Sequence, residues 1–218
     1  MSEFRYTRPD NFPPIIKNLV IINVLVFLAQ QFLNDKFSLP GAEMYGLTGV
    51  LGLWPIDSFL FRPYQIVTHM FAHGGWAHIF FNMFVLWMFG RILENVWGGK
   101  RFLIFYLVSG LGAAAAHLTV QYFVHSPFIS PAIGASGAIM GVMAAFAYLF
   151  PNTELYIMFI PIPVKAKWAV LGYVAVDLFS GLSSFKGDNI AHFAHLGGAL
   201  TGFILVFIWN KTNRRKFY

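Results

Sequence analysis

Six apolar stretches of 15 to 21 residues leave this chain few folds to choose from. They run from about Ile15 to Leu33, Trp76 to Val96, Phe102 to Tyr122, Ser136 to Phe150, Trp168 to Leu182 and Ile190 to Trp209. A helix needs about 20 apolar residues to cross a hydrocarbon core of roughly 30 Å. Charged residues make up only 11% of the chain, less than half the share of about 25% usual in soluble domains. The expected fold is therefore an all-α membrane protein, a six-transmembrane-helix bundle spanning residues 14–210. A short N-terminal tail (1–13) and a basic C-terminal tail (211–218) flank it. The first apolar run is too long for a signal core, lacks a small-residue cleavage site and reads as an anchor.

Lys and Arg set the orientation. An even number of spans puts both termini on one side. That side collects Arg5, Arg8, Lys17, Arg91, Lys100, Arg101, Lys165, Lys167, Lys211, Arg214, Arg215 and Lys216, which is 12 of the 15 basic residues. Lys36, Arg62 and Lys186 remain for the other side. The positive-inside rule then places both termini in the cytoplasm. The formal net charge of +6 is accounted for by this topology, and no nucleic-acid partner is expected. The chain has no cysteine, which excludes disulfides, thiolate metal sites and cysteine catalysis.

The loop from Asn34 to Gln65 faces outward. Its Leu51-Gly52-Leu53-Trp54-Pro55 and Phe59-Leu60-Phe61 are too apolar for a free loop and too broken for a span, so the loop is expected to lie partly in the membrane interface. The loop from Pro151 to Lys167 is Pro-rich and cytoplasmic.

Within this frame, Ser136 and His195 stand out. Segments four and six both run from outside to inside, and each residue lies about 14 positions above the inner end of its segment. Fourteen residues rise about 21 Å, which leaves both side chains about 9 Å below the outer surface of the core. Equal depth is what a nucleophile and its base require, because serine is a poor nucleophile until a neighbouring base takes its proton. Gly137 and Gly141 on segment four, and Gly198 and Gly202 on segment six, repeat at i, i+4, a spacing that lets helix backbones approach closely. Before Ser136, the run Pro127-Phe128-Ile129-Ser130-Pro131-Ala132-Ile133-Gly134 cannot be regular helix. Irregular backbone at this depth is tolerated where protein shields it or where it lines a wet cavity. The start of segment four presents free N–H groups to a developing oxyanion. The elbow of soluble hydrolases, Gly-x-Ser-x-Gly after a strand, is absent, since Ala138 stands at its last position.

His78 and Asn82 share one helix face at i, i+4 near the same depth. Two readings fit them, donors to an oxyanion or an interhelical polar contact. His69 and His73, and His192 and His195, have spacings that can bind zinc, but no glutamate base lies near, and no metal or other cofactor is expected. His69 and His73 are expected to structure the approach to segment two. Asp177, inside segment five, is a functional candidate by its burial in the membrane and could orient a histidine as the third member of a triad, yet it lies near mid-segment, about nine residues from Trp168, and no spacing argument brings it to His195. Arg91 and Glu94, at i, i+3, are expected to pair.

Together these residues resemble the rhomboid intramembrane serine proteases. The resemblance rests on His73-Gly74-Gly75-Trp76-x-His78-x3-Asn82, Gly134-x-Ser136-Gly137 and Ala194-His195-x2-Gly198-x3-Gly202, in that order, and covers nearly the whole chain. It implies a Ser-His dyad without an acid, with Ser136 as nucleophile, His195 as general base and Asp177 not catalytic. It further implies an oxyanion hole of His78, Asn82 and the Ser136 backbone N–H, and single-span transmembrane proteins as substrates within the lipid bilayer. An inner-membrane, multi-pass location follows from the same likeness. Met140 replaces the aromatic residue often found four positions after the nucleophile, which implies a looser imidazole. Arg62-Pro63-Tyr64-Gln65 replaces the family's usual Trp-Arg in the first loop. Two other function classes stand beside the protease: a catalytically silent binder of membrane proteins with the same fold, and a histidine-lined metal or proton transporter, for which inverted repeats would be needed.

Overall fold

The computed structural model describes residues 9–124, 130–156, 162–183 and 190–212. Each of the six apolar stretches is a helix. In chain order, with two short helices in the first loop, they are α1 (Pro14–Leu33), α2 (Gly46–Leu51), α3 (Gln65–Thr68), α4 (Trp76–Trp97), α5 (Gly99–Val124), α6 (Ser136–Leu149), α7 (Ala166–Ser183) and α8 (Ile190–Thr212). Four of them, α1, α4, α5 and α8, are long and apolar enough to cross a bilayer by length and composition. The chain is a multi-pass helical membrane bundle.

The shorter α6 is its centre. It has 14 residues, of which Gly137, Ala138, Ile139, Met140, Gly141, Val142, Ala145 and Phe146 are buried. It packs against α4, α5, α7 and α8. Its small residues make that possible, because a helix surrounded on all sides has little room for side chains. At 14 residues it rises only about 21 Å, so its first residue, Ser136, starts well inside a membrane-thick bundle.

Helix ends follow local rules with one long-range exception. Pro14 opens α1, where its missing N–H costs nothing. Gly98, at φ +78, ends α4 and lets the chain turn directly into α5. The exception corrects an expectation. Among the described residues Glu94 does not pair with Arg91. Its carboxylate instead accepts the backbone N–H groups of Ile15 (2.9 Å) and Ile16 (2.8 Å), capping α1 from another helix. Two N–H donors held at a helix start suit a carboxylate better than one exposed guanidinium does. Arg91 instead stacks over the Trp87 ring at 4.3 Å.

The first loop is a packed layer. Trp54 is buried and its indole N–H donates to the Gly49 carbonyl at 2.7 Å. Gln65, fully buried, anchors the end of this loop. Its amide donates to the carbonyls of Leu60 (3.2 Å) and Val50 (3.4 Å), and its oxygen accepts the Arg62 N–H at 2.9 Å. The Arg62 guanidinium donates to the carbonyls of Phe59 and Phe61, both at 2.8 Å. Outward, Met44, Ile56 and Phe59 are exposed, which gives the layer an apolar outer face. In the loop between α6 and α7, two three-residue strands, β1 (Glu154–Tyr156) and β2 (Pro163–Lys165), pair antiparallel with Leu155 opposite Val164. This is a small addition to the helical bundle.

Candidate active site

Four helices bring polar residues to one place, and glycines explain how two of them, α6 and α8, meet. A Cβ on Gly198 would clash with the Gly137 carbonyl, and one on Gly202 would lie 2.5 Å from the Gly141 Cα. The backbones of α6 and α8 therefore touch, with no side chain between them at these points. Just above that contact, Ser136 Oγ and His195 Nε2 are 2.8 Å apart. Both residues are partly buried.

Ahead of Ser136, the described residues 130–135 are irregular and tethered at two points, while Pro127, Phe128 and Ile129 lie outside the described residues. Leu53 and Ala132 exchange backbone hydrogen bonds of 2.9 Å in both directions. The Gly134 N–H donates to the His69 carbonyl at 2.9 Å. Gly134 has φ +121, a conformation that side chains resist. A Cβ there would also come within 2.8 Å of His78 Nε2 and 3.5 Å of Ser136 Oγ. Glycine thus keeps open a small space that both the imidazole and the hydroxyl face.

His78 offers a hydrogen-bond donor to that space. His78 Nδ1 accepts the Gly74 N–H at 3.3 Å. A neutral imidazole that accepts at Nδ1 carries its proton on Nε2, and here Nε2 points at the open space. Asn82 is buried one turn further along α4, and its Nδ2 has no hydrogen-bond partner among the described residues. A buried amide without an acceptor costs about 1–3 kcal/mol, so its exception calls for a reason. At the start of α6 no side chain caps the helix, which leaves first-turn N–H groups free.

His69 and His73 belong to the scaffold. His69 Nδ1–H donates to the Gln65 carbonyl at 2.9 Å. The His73 backbone N–H donates to Gln30 Oε1 at 2.9 Å, and the Gln30 amide donates to Thr48 Oγ1 at 2.8 Å. This ties α1, the first loop and the start of α4 together. Burial pushes the His73 imidazole down to about 4, with the His78 charge acting in the same direction, so the ring is neutral at physiological pH. Burial likewise lowers His69.

Asp177 is the residue about which spacing along the chain says least. It is buried on α7 and its carboxylate reaches both histidines of α8. His192 Nδ1 is 2.6 Å from Oδ1, and His195 Nδ1 lies 3.2 Å from Oδ2 and 3.4 Å from Oδ1. Counted from Trp168, Asp177 falls short of the depth of Ser136. The helix in fact begins at Ala166, which raises the residue to about 16 Å above its inner end, within one turn of the serine. The three side chains place one ligating atom each within 4.8 Å of one another, a spacing that the two hydrogen bonds by themselves account for.

Comparison with known proteins identifies the family. Residues 61–212 match the Rhomboid domain family. The chain is 28% identical to Rhomboid protein 1, mitochondrial, of Saccharomyces cerevisiae over 181 residues, covering 75% of this chain and 52% of that protein. It is 34% identical to the Presenilin-associated rhomboid-like protein, mitochondrial, of Bos taurus, covering 68% of this chain and 38% of that one. With Rhomboid protease GluP of Bacillus subtilis it shares 32% over 64% of this chain and 25% of that protein. The chain spans about half to two thirds of the length of the first relatives it matches. With its helical membrane bundle and a match that takes in α4 to α8 entire, the chain belongs to the rhomboid family.

Proposed function

We propose that this protein is an intramembrane serine endopeptidase that cleaves peptide bonds in or near the transmembrane segments of single-span membrane proteins. The observation that carries the reading is the 2.8 Å hydrogen bond between Ser136 Oγ and His195 Nε2, beside a space lined by donors. In this account Ser136 Oγ attacks the scissile carbonyl carbon while His195 Nε2 takes its proton. The carbonyl oxygen, now negative, enters the space held open by Gly134 and accepts hydrogen bonds from His78 Nε2–H, Asn82 Nδ2 and the Ser136 N–H. His195 then returns the proton to the leaving amine, and water releases the acyl group by the same route. The groups need no cofactor and no metal. The protein sits in the cell's inner membrane with both termini in the cytoplasm, as the distribution of Lys and Arg indicates. The name of Rhomboid protease GluP supports proteolysis as the activity.

The test is cleavage of a model single-span substrate by purified protein in liposomes. Wild-type cleavage, abolished in Ser136→Ala and in His195→Ala, is the expected result. Cleavage by Ser136→Ala at the wild-type rate would overturn the reading.

A further inference from the structure

A carboxylate inside a membrane helix is costly unless it is paired. Asp177 is paired twice, and one of its partners is the imidazole that faces Ser136. His195 Nδ1 sits between the two carboxylate oxygens, at 3.2 and 3.4 Å, while its Nε2 is 2.8 Å from Ser136 Oγ. His192 Nδ1 holds Oδ1 at 2.6 Å from the other side. Three helices thus contribute one chain of contacts, from Asp177 on α7 through His195 on α8 to Ser136 on α6.

We propose that Asp177 is a positioning residue for the reaction, accepting the Nδ1–H of His195 and so holding the ring with its unprotonated Nε2 toward Ser136, while His192 fixes the carboxylate. This rests on the serine-protease reading above and extends it from two residues to three. The chemistry is that of tautomer control. A neutral imidazole carries one proton; if Nδ1 holds it, Nε2 is free to accept from serine. When His195 gains the serine proton, the ring becomes a cation. A carboxylate within hydrogen-bond reach stabilises that cation most where water is excluded. The groups facing this pair are Ser136 from α6, His78 from α4, His192 on α8 itself and Tyr173 on α7. Asp177 is the one acid among them. A packing role alone would ask only for hydrogen bonds at Asp177, which an asparagine of the same shape supplies in part. A positioning role asks for an acceptor at His195 Nδ1.

The experiment compares wild type, Asp177→Asn, Asp177→Glu and Ser136→Ala in liposomes. It reads kcat and KM on the model substrate and the rate at which a fluorophosphonate labels Ser136. The expected result for Asp177→Asn is a fall of about 10²- to 10⁴-fold in both kcat and labelling rate, with KM changed by less than about threefold and activity partly restored in Asp177→Glu. Folded Asp177→Asn that cleaves within about twofold of wild type overturns the proposal. If Asp177→Asn does not fold, ¹⁵N-histidine NMR of the wild-type protein decides, with His195 assigned by its loss in His195→Gln. A proton on Nδ1 with Nε2 bare supports the proposal, and a proton on Nε2 overturns it. Full activity of Asp177→Asn beside an inactive Ser136→Ala removes Asp177 alone. Full activity of Ser136→Ala removes the underlying protease reading.

Discussion

The Gly137 carbonyl oxygen occupies the place that a Cβ on Gly198 would need, so α6 and α8 meet backbone to backbone directly below Ser136 and His195. The distance between the hydroxyl and the imidazole is therefore set by the absence of a methyl group one turn along α8. Gly198→Ala is expected to push the helices apart, destabilise the bundle by about 1–3 kcal/mol and lower kcat about 100-fold through misplacement of the reacting groups. Gly172→Ala is the control. That glycine lies on α7 with nothing within 4 Å of its added Cβ, and the change is expected to leave activity unaltered. Thermal unfolding and cleavage rate in detergent check both.

Glu94 offers a test of the scaffold away from the site. Its carboxylate accepts from the N–H groups of Ile15 and Ile16. In Glu94→Ala one buried and one part-buried donor lose their acceptor, at about 1–3 kcal/mol. The expected result is a lower unfolding temperature with kcat per folded molecule retained. Arg91→Ala, which leaves the cap intact, is expected to cost much less.

His73 gives the fold a pH dependence. Its ring is held at about 4 in the folded protein against 6.5 ordinarily, chiefly by burial. The unfolded chain therefore takes up a proton first as the pH falls. Stability is fully present above 6.5 and is lost between there and 4, by about 3 kcal/mol at 1.4 kcal/mol per pH unit. His69, lowered in the same direction, adds to the slope. Denaturant midpoints between pH 7 and 4 check this, and His73→Gln is expected to flatten the curve.

Under the proposed function, the donors on α4 are separable from the nucleophile. His78 presents Nε2–H to the space beside Ser136, because Nδ1 is occupied by the Gly74 N–H. Removing one such donor elsewhere costs about 10²–10³ in kcat. His78→Ala and Asn82→Ala are each expected to fall in that range with KM little changed, measured under saturating substrate. Asn82→Leu, which also removes the unpartnered amide, is expected to raise stability while lowering kcat.

Much of this architecture is legible in the amino-acid sequence, and the reasons are physical. Membrane helices show as apolar runs whatever their neighbours, so all six are readable, the shorter Ser136–Leu149 included. Depth is also local information. Rise per residue converts position along a helix into height, which puts Ser136 and His195 level with each other, and the i, i+4 glycines supply the reason their helices approach. Lateral neighbours are a different matter. Nothing in the run around Asp177 says that α7 turns this residue toward α8, and an error of two residues in the start of the helix hides its height. Glu94 is a similar case, since its partners lie 79 and 78 positions away. The β1–β2 pair is not legible, because three-residue strands carry too little alternation to show.

The most direct measurement of the central claim is covalent labelling of the purified protein by a fluorophosphonate, mapped by mass spectrometry. It needs no knowledge of the natural substrate and reads only whether Ser136 is activated by His195. A single modified residue, Ser136, is expected, with labelling lost in His195→Ala while the protein stays folded. Labelling of folded His195→Ala at the wild-type rate, or no modification of Ser136 in the wild type, would contradict it.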